Sequence, residues 1–191
     1  MFHRIKLAAF AAAALAAPSA ALAQTSSSDI QLSSTVAGAC ALGAPSLTVL
    51  NLQDLTGSEG TLDSSKTGSA VLASTVIANA WCNAPHSVKL QATPMALQST
   101  PAYAQPSYMA RLVTYNARLI GWPVNLTRRP KTGDDEVSIE FGGAYAPPEP
   151  GLKLEVSDLE TLTAGRVETP NLMLEVGNYK GTVTITLATV N

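Results

Sequence analysis

Charge is scarce in this sequence. Asp, Glu, Lys and Arg make up 14% of the 191 residues, and aromatic residues only 5%. Twelve basic residues stand against fourteen acidic ones, which excludes a binder built on a broad basic face, so nucleic acid is not an expected partner. Two cysteines and two histidines leave almost no ligand set for zinc. Enzyme signatures are missing as well: there is no G-x-S-x-G, no G-x-G-x-x-G, no phosphate-binding P-loop and no H-E-x-x-H. No catalysis and no cofactor are therefore expected. Apolar residues, by contrast, reach 46%, enough for the core of one domain and too many for a wholly disordered chain.

The only long apolar run lies at the start. Arg4 and Lys6 precede an Ala-rich stretch over residues 7–17, Pro18 interrupts it, and Ala21-Leu22-Ala23 supplies a small-x-small cleavage pattern. This is the plan of a secretory signal over residues 1–23, cut before Gln24. Eleven residues are too short for a hydrocarbon layer of ~30 Å, and no other stretch is long and apolar enough, so no membrane insertion is expected. The mature chain would have 168 residues and a net charge of −4, since Arg4 and Lys6 leave with the leader. The expected destination is the periplasm or beyond.

An oxidising compartment favours a disulfide between Cys40 and Cys82, 42 positions apart. Two free buried thiols and an intermolecular bridge are the alternatives. No C-x-x-C pair suggests redox catalysis.

Hydrophobic periodicity points to strands. Ile30, Leu32, Val36 and Cys40 share one parity, which reads as an extended segment with one apolar edge. Strands are also expected over residues 46–52, 69–82, 87–93, 109–120, 124–127, 137–141, 152–156 and 172–176. Prolines at 94, 101 and 106 mark a loop, as do those between 142 and 151. At the end, Tyr179, Val183, Ile185 and Leu187 alternate with Thr182, Thr184 and Thr186, a pattern suited to a half-buried sheet. Many short strands and few helix signals predict an all-β sandwich.

The remaining polar groups have plain explanations. Lys66-Thr67-Gly68 and Lys131-Thr132-Gly133 lack an S-x-x-K partner and read as turns. Asp134-Asp135-Glu136 lacks the calcium-loop spacing and reads as a solvated hairpin tip. His86 has no histidine partner. Asp158 and Glu160 are candidate acids without a visible base or nucleophile. Trp81, Trp122, Tyr103, Tyr108 and Tyr145 are the side chains from which a sugar-stacking face would have to be built. A monomeric secreted sandwich binding a glycan is the alternative function that they suggest.

The two ends carry a resemblance. Residues 30–36 (Ile-Gln-Leu-Ser-Ser-Thr-Val) lead into Gly38-Ala39-Cys40-Ala41-Leu42-Gly43. The C-terminal part reads Val176-Gly177-Asn178-Tyr179-Lys180-Gly181-Thr182-Val183-Thr184-Ile185-Thr186-Leu187. With a second cysteine about forty positions after the first, this resembles the archaic chaperone–usher pilins and their spore coat protein U-like domain. The resemblance covers about a quarter of the mature chain. It implies an immunoglobulin-like, pilin-type sandwich over residues 38–191 that lacks its final strand, preceded by a donor-strand extension over residues 24–37. Ile30, Leu32 and Val36 would be the donor-side plugs. Tyr179, Val183, Ile185 and Leu187 would belong to the acceptor groove. The implied partners are a periplasmic chaperone, an outer-membrane usher and neighbouring pilin subunits in a homopolymer. The implied role is a structural subunit of a fimbrium or coat at the cell surface, in adhesion.

Overall fold

The computed structural model describes residues 31–99 and 101–190. The leader and Ile30 lie outside the described residues. The chain divides into two units, Met1–Thr35 and Val36–Asn191. Of the first, residues 31–35 have no regular secondary structure and are exposed.

Among the described residues the second unit contains thirteen strands: β1 (Cys40–Ala41), β2 (Val71–Ile77), β3 (Trp81–Cys82), β4 (His86–Ala92), β5 (Met95–Leu97), β6 (Met109–Ala110) and β7 (Leu112–Ile120). These are followed by β8 (Leu126–Arg128), β9 (Asp135–Phe141), β10 (Leu152–Leu162), β11 (Met173–Leu174), β12 (Tyr179–Lys180) and β13 (Val183–Thr189). The helical content of the described residues is two short 3-10 turns at Ser58–Gly60 and Ser64–Lys66.

Two sheets make an all-β sandwich. One has the order β12-β5-β7-β10-β2, with β8 added beside β7, and the other is β13-β4-β9. Val88, Leu90 and Ala92 of β4 alternate inward and pack in one cluster with Val113, Tyr115, Ala117 and Leu119 of β7 and with Leu152, Leu154 and Val156 of β10. A period of two on facing strands puts these side chains into one shared layer. A parallel pair, β6 with β11, and an antiparallel pair, β1 with β3, form two further small sheets. The second pair carries the Cys40–Cys82 disulfide, with an S–S distance of 2.06 Å, so the expected intramolecular bridge is present.

Several expected strands are corrected. Residues 46–52 form none: Ser46 donates its N–H to the Val76 carbonyl at 2.7 Å, but the residues that follow have no ladder partner among those described. Residues 31–39 have no strand pairing among the described residues. Ala37 and Ala39 are held by the Asn83 side chain, which accepts from the Ala39 N–H at 2.6 Å and donates to the Ala37 carbonyl at 3.1 Å. The predicted strand over 69–82 breaks at Asn79, whose φ of 55° lies in the left-handed region. The expected 109–120 strand is interrupted at Arg111, and β5 is an addition inside a predicted loop.

β10 runs well past Val156. A bulge there puts Asp158 at φ 54° and shifts the inward parity from even to odd positions, so that Leu159 and Thr161 are buried. The Asp158 carboxylate accepts from the Gly68 N–H at 2.9 Å, Asn116 Nδ2 at 3.0 Å and Arg129 at 2.7 Å. These bonds hold the bulge in place and give this candidate acid a structural role.

Candidate functional site

β13 pairs with β4 along its whole length, Val183 opposite Ala92 through Thr189 opposite His86. Among the described residues no strand pairs its other edge. The consequence shows in burial. Val88 and Leu90 of the central strand are fully buried, whereas Val183, Ile185 and Leu187 are only half-buried although they face the same core. An edge of this kind presents a row of N–H and C=O groups able to template another strand.

Beside that edge lies a groove of about 1510 Å³. Its floor is made of core side chains from the opposite sheet: Ile77, Met95, Tyr115, Leu154 and Val156. Val183 and Ile185 form one wall. Leu50, Leu52 and Leu55, from the segment without a ladder, form the other. Tyr179 also lines it, and its hydroxyl lies 2.8 Å from the Glu175 carbonyl and 3.0 Å from the Ala110 carbonyl. Burial pushes the Tyr179 hydroxyl up to about 12, so it is a neutral donor. Tyr115 is raised by burial as well, and donates to the Thr93 carbonyl at 2.8 Å.

Of the residues assigned to the groove, Tyr179, Val183 and Ile185 therefore line it, while Leu187 packs against the core further along β13. On the donor side, Leu32 and Val36 are exposed. The wall from Leu50 to Leu55 was not foreseen as part of a site. In the sequence, Leu50 and Leu52 read as the end of an ordinary strand over residues 46–52, and Leu55 carries no signal of its own.

Glu175 was also missed. Its carboxylate is 4% exposed and lines the same groove. Arg111 Nε donates to it at 2.5 Å, and the Tyr103 hydroxyl donates to its other oxygen. These two bonds, Arg111 first, hold the carboxyl below its ordinary range. Residues 172–176 were expected to alternate with Leu172, Leu174 and Val176 on one face. Instead Glu175 turns inward beside Leu174 and Val176 is 95% exposed.

The aromatic side chains divide between surface and core: Trp81, Tyr103 and Tyr108 are exposed. Trp122 is buried, donates Nε1–H to His86 Nε2 at 3.0 Å, and packs edge-on against Tyr145 with ring centres 5.1 Å apart. Tyr103 is occupied with Arg111, whose guanidinium carbon sits 5.0 Å from the ring centre. The basic run is neutralised locally: Arg128 pairs with Asp135 at 2.9 Å, and Arg129 with Asp158 and Glu168 at 2.7 and 2.8 Å. Glu136 pairs with Lys89 at 3.1 Å.

Comparison with known proteins finds no match: no family model, no curated protein and no solved structure corresponds to this chain.

Proposed function

We propose that this chain is a secreted structural subunit of a surface fibre or coat, assembled when residues 24–37 of one copy enter the groove of the next. The observation that carries the proposal is the open edge of β13 beside a groove floored by core side chains. A single extended strand answers both needs at once. Its backbone supplies the missing ladder, and its alternate side chains fill the groove, which is the logic of β-augmentation.

The occupant is chosen by pattern. Ile30, Leu32 and Val36 share one parity, with polar Gln31, Ser33 and Thr35 on the other. Burying three such side chains contributes roughly 5–8 kcal/mol before ordering costs. The contact is head to tail, so it need not close and repetition gives a filament. In this reading a periplasmic chaperone fills the groove first, an outer-membrane usher exchanges it for a neighbouring subunit, and cleavage after Ala23 frees the donor end. The buried position of Trp122 weighs against the glycan-binding alternative.

Complementary variants test the proposal. Leu32→Asp removes a plug and leaves an acceptor. Ile185→Asp spoils the groove and leaves a donor. Each alone should be monomeric by light scattering, with circular dichroism confirming the fold, while the unaltered mature chain associates. An equimolar mixture should stop at dimers. A monomeric unaltered chain, or a mixture that stays monomeric with both variants folded, would overturn the proposal.

A further inference from the structure

Residues 37–39, just before the first cysteine, are held by one side chain. The Asn83 amide accepts from the Ala39 N–H at 2.6 Å and donates to the Ala37 carbonyl at 3.1 Å, and the Asn83 N–H donates to the Ala39 carbonyl at 3.0 Å. The Cys40–Cys82 disulfide and the pairing of β1 with β3 lie directly behind. The Asn83 amide thus acts as one more peptide unit of β3, and residues 37–39 prolong the β1–β3 pair. Gly38 is tightly seated there. A Cβ on it would stand 3.0 Å from the Cβ of Ala84 and 3.8 Å from Cγ2 of Thr189. This stretch therefore lies beside the last residue of β13 without joining its ladder. Among the described residues nothing from 36 to 39 pairs with β13, and Val36 is 81% exposed.

A donor segment rooted at that point competes with itself. A tethered strand meets the groove of its own chain at an effective concentration on the order of millimolar, provided the tether permits the approach. Length permits it: fourteen extended residues span about 46 Å, against about 23 Å for the seven of β13. Starting beside Thr189, the segment need only run along β13 toward Ile185 and Val183, which line the groove. Such self-closure would occupy a donor and an acceptor together and end assembly. Resting on the donor-strand reading above, we infer that Asn83 decides against self-closure: by binding residues 37 and 39 to β3, it turns the donor segment off the β13 edge and leaves it for the groove of a second copy. Asn83 does not line the groove. It is a positioning residue, acting through the root of the segment.

The test places Asn83→Ala in two settings and follows association by light scattering, with circular dichroism confirming the fold. In the otherwise unaltered mature chain the freed root lets the segment enter its own groove, so the apparent Kd of self-association should rise about tenfold. The second setting is the complementary pair, Leu32→Asp mixed with Ile185→Asp. Neither copy there can close on itself, since one lacks a plug and the other a sound groove. Asn83→Ala in both partners should leave the Kd of that dimer unchanged within twofold. Asn83→Asp, which keeps the acceptor for Ala39 but cannot donate to Ala37, is read in the same way if Asn83→Ala does not fold. A merely structural role would weaken both settings alike. A pair weakened as much as the unaltered chain, or an unaltered chain not weakened at all, refutes the positioning role while the donor-strand reading stands. If the pair with Asn83 intact stays monomeric, that reading fails and this inference fails with it.

Discussion

The indole N–H of Trp122 donates to Nε2 of His86 at 3.0 Å, and both rings are buried. His86 Nδ1 in turn lies 2.9 Å from the Ala84 carbonyl, so the neutral imidazole, protonated at Nδ1, satisfies both contacts. Phe141 stacks on His86 with ring centres 5.4 Å apart. This cluster sits where β4 begins, opposite Thr189 on one side and Phe141 on the other.

Trp122→Phe keeps most of the packing but leaves a buried ring nitrogen without its donor. An unsatisfied buried acceptor costs about 1–3 kcal/mol. Urea unfolding of the variant should show a loss in that range with an unchanged slope. No measurable loss would mean that the pair contributes little.

The disulfide makes a second prediction. It ties β1 to β3 across a sequence separation of 42 residues. By the chain-entropy account, closing a loop of that length stabilises the fold by roughly 4 kcal/mol. The double variant Cys40→Ser/Cys82→Ser should lose about that much by urea denaturation under non-reducing conditions. A loss below about 1 kcal/mol would place the stabilisation elsewhere.

Asp135 predicts a pH dependence. Burial pushes its carboxyl up, but the N–H groups of Lys131 and Thr132 and the Arg128 guanidinium outweigh burial and hold it at about 2, below its ordinary value of 3.8. Its contribution is therefore fully present above about pH 4 and is lost as pH falls toward 2. Asp135→Asn should be less stable at neutral pH and should converge with the unaltered chain near pH 2. Parallel stability curves for the two chains over that interval would contradict the assignment.

Much of the fold was legible because its strands carry a period of two. β4 and β9 stand where alternation placed them, whereas the alternation read over residues 179–187 divides into β12, which pairs with β5 in one sheet, and β13, which pairs with β4 in the other. Residues 46–52 carried a similar signal and formed no strand, because alternation specifies a face and not a ladder partner. The β10 bulge was invisible for a related reason. Its parity shift depends on the bonds that Asp158 makes to Gly68, Asn116 and Arg129, which come from distant parts of the chain. At the site, the inward residues of β13 could be read directly. The Glu175–Arg111 pair could not, because a buried carboxylate is decided by a partner 64 residues away.

The central claim is that the open edge of β13 receives a strand from another copy. A photo-crosslinking side chain answers it directly. The mature chain carrying Leu32→p-benzoylphenylalanine is prepared with light and with heavy nitrogen, mixed before assembly and irradiated. Mass spectrometry should find residues 24–37 of one isotope joined to residues 183–189 of the other. Cross-links confined to pairs of the same isotope would show that the segment returns to its own chain, and the account of a polymerising subunit would be wrong.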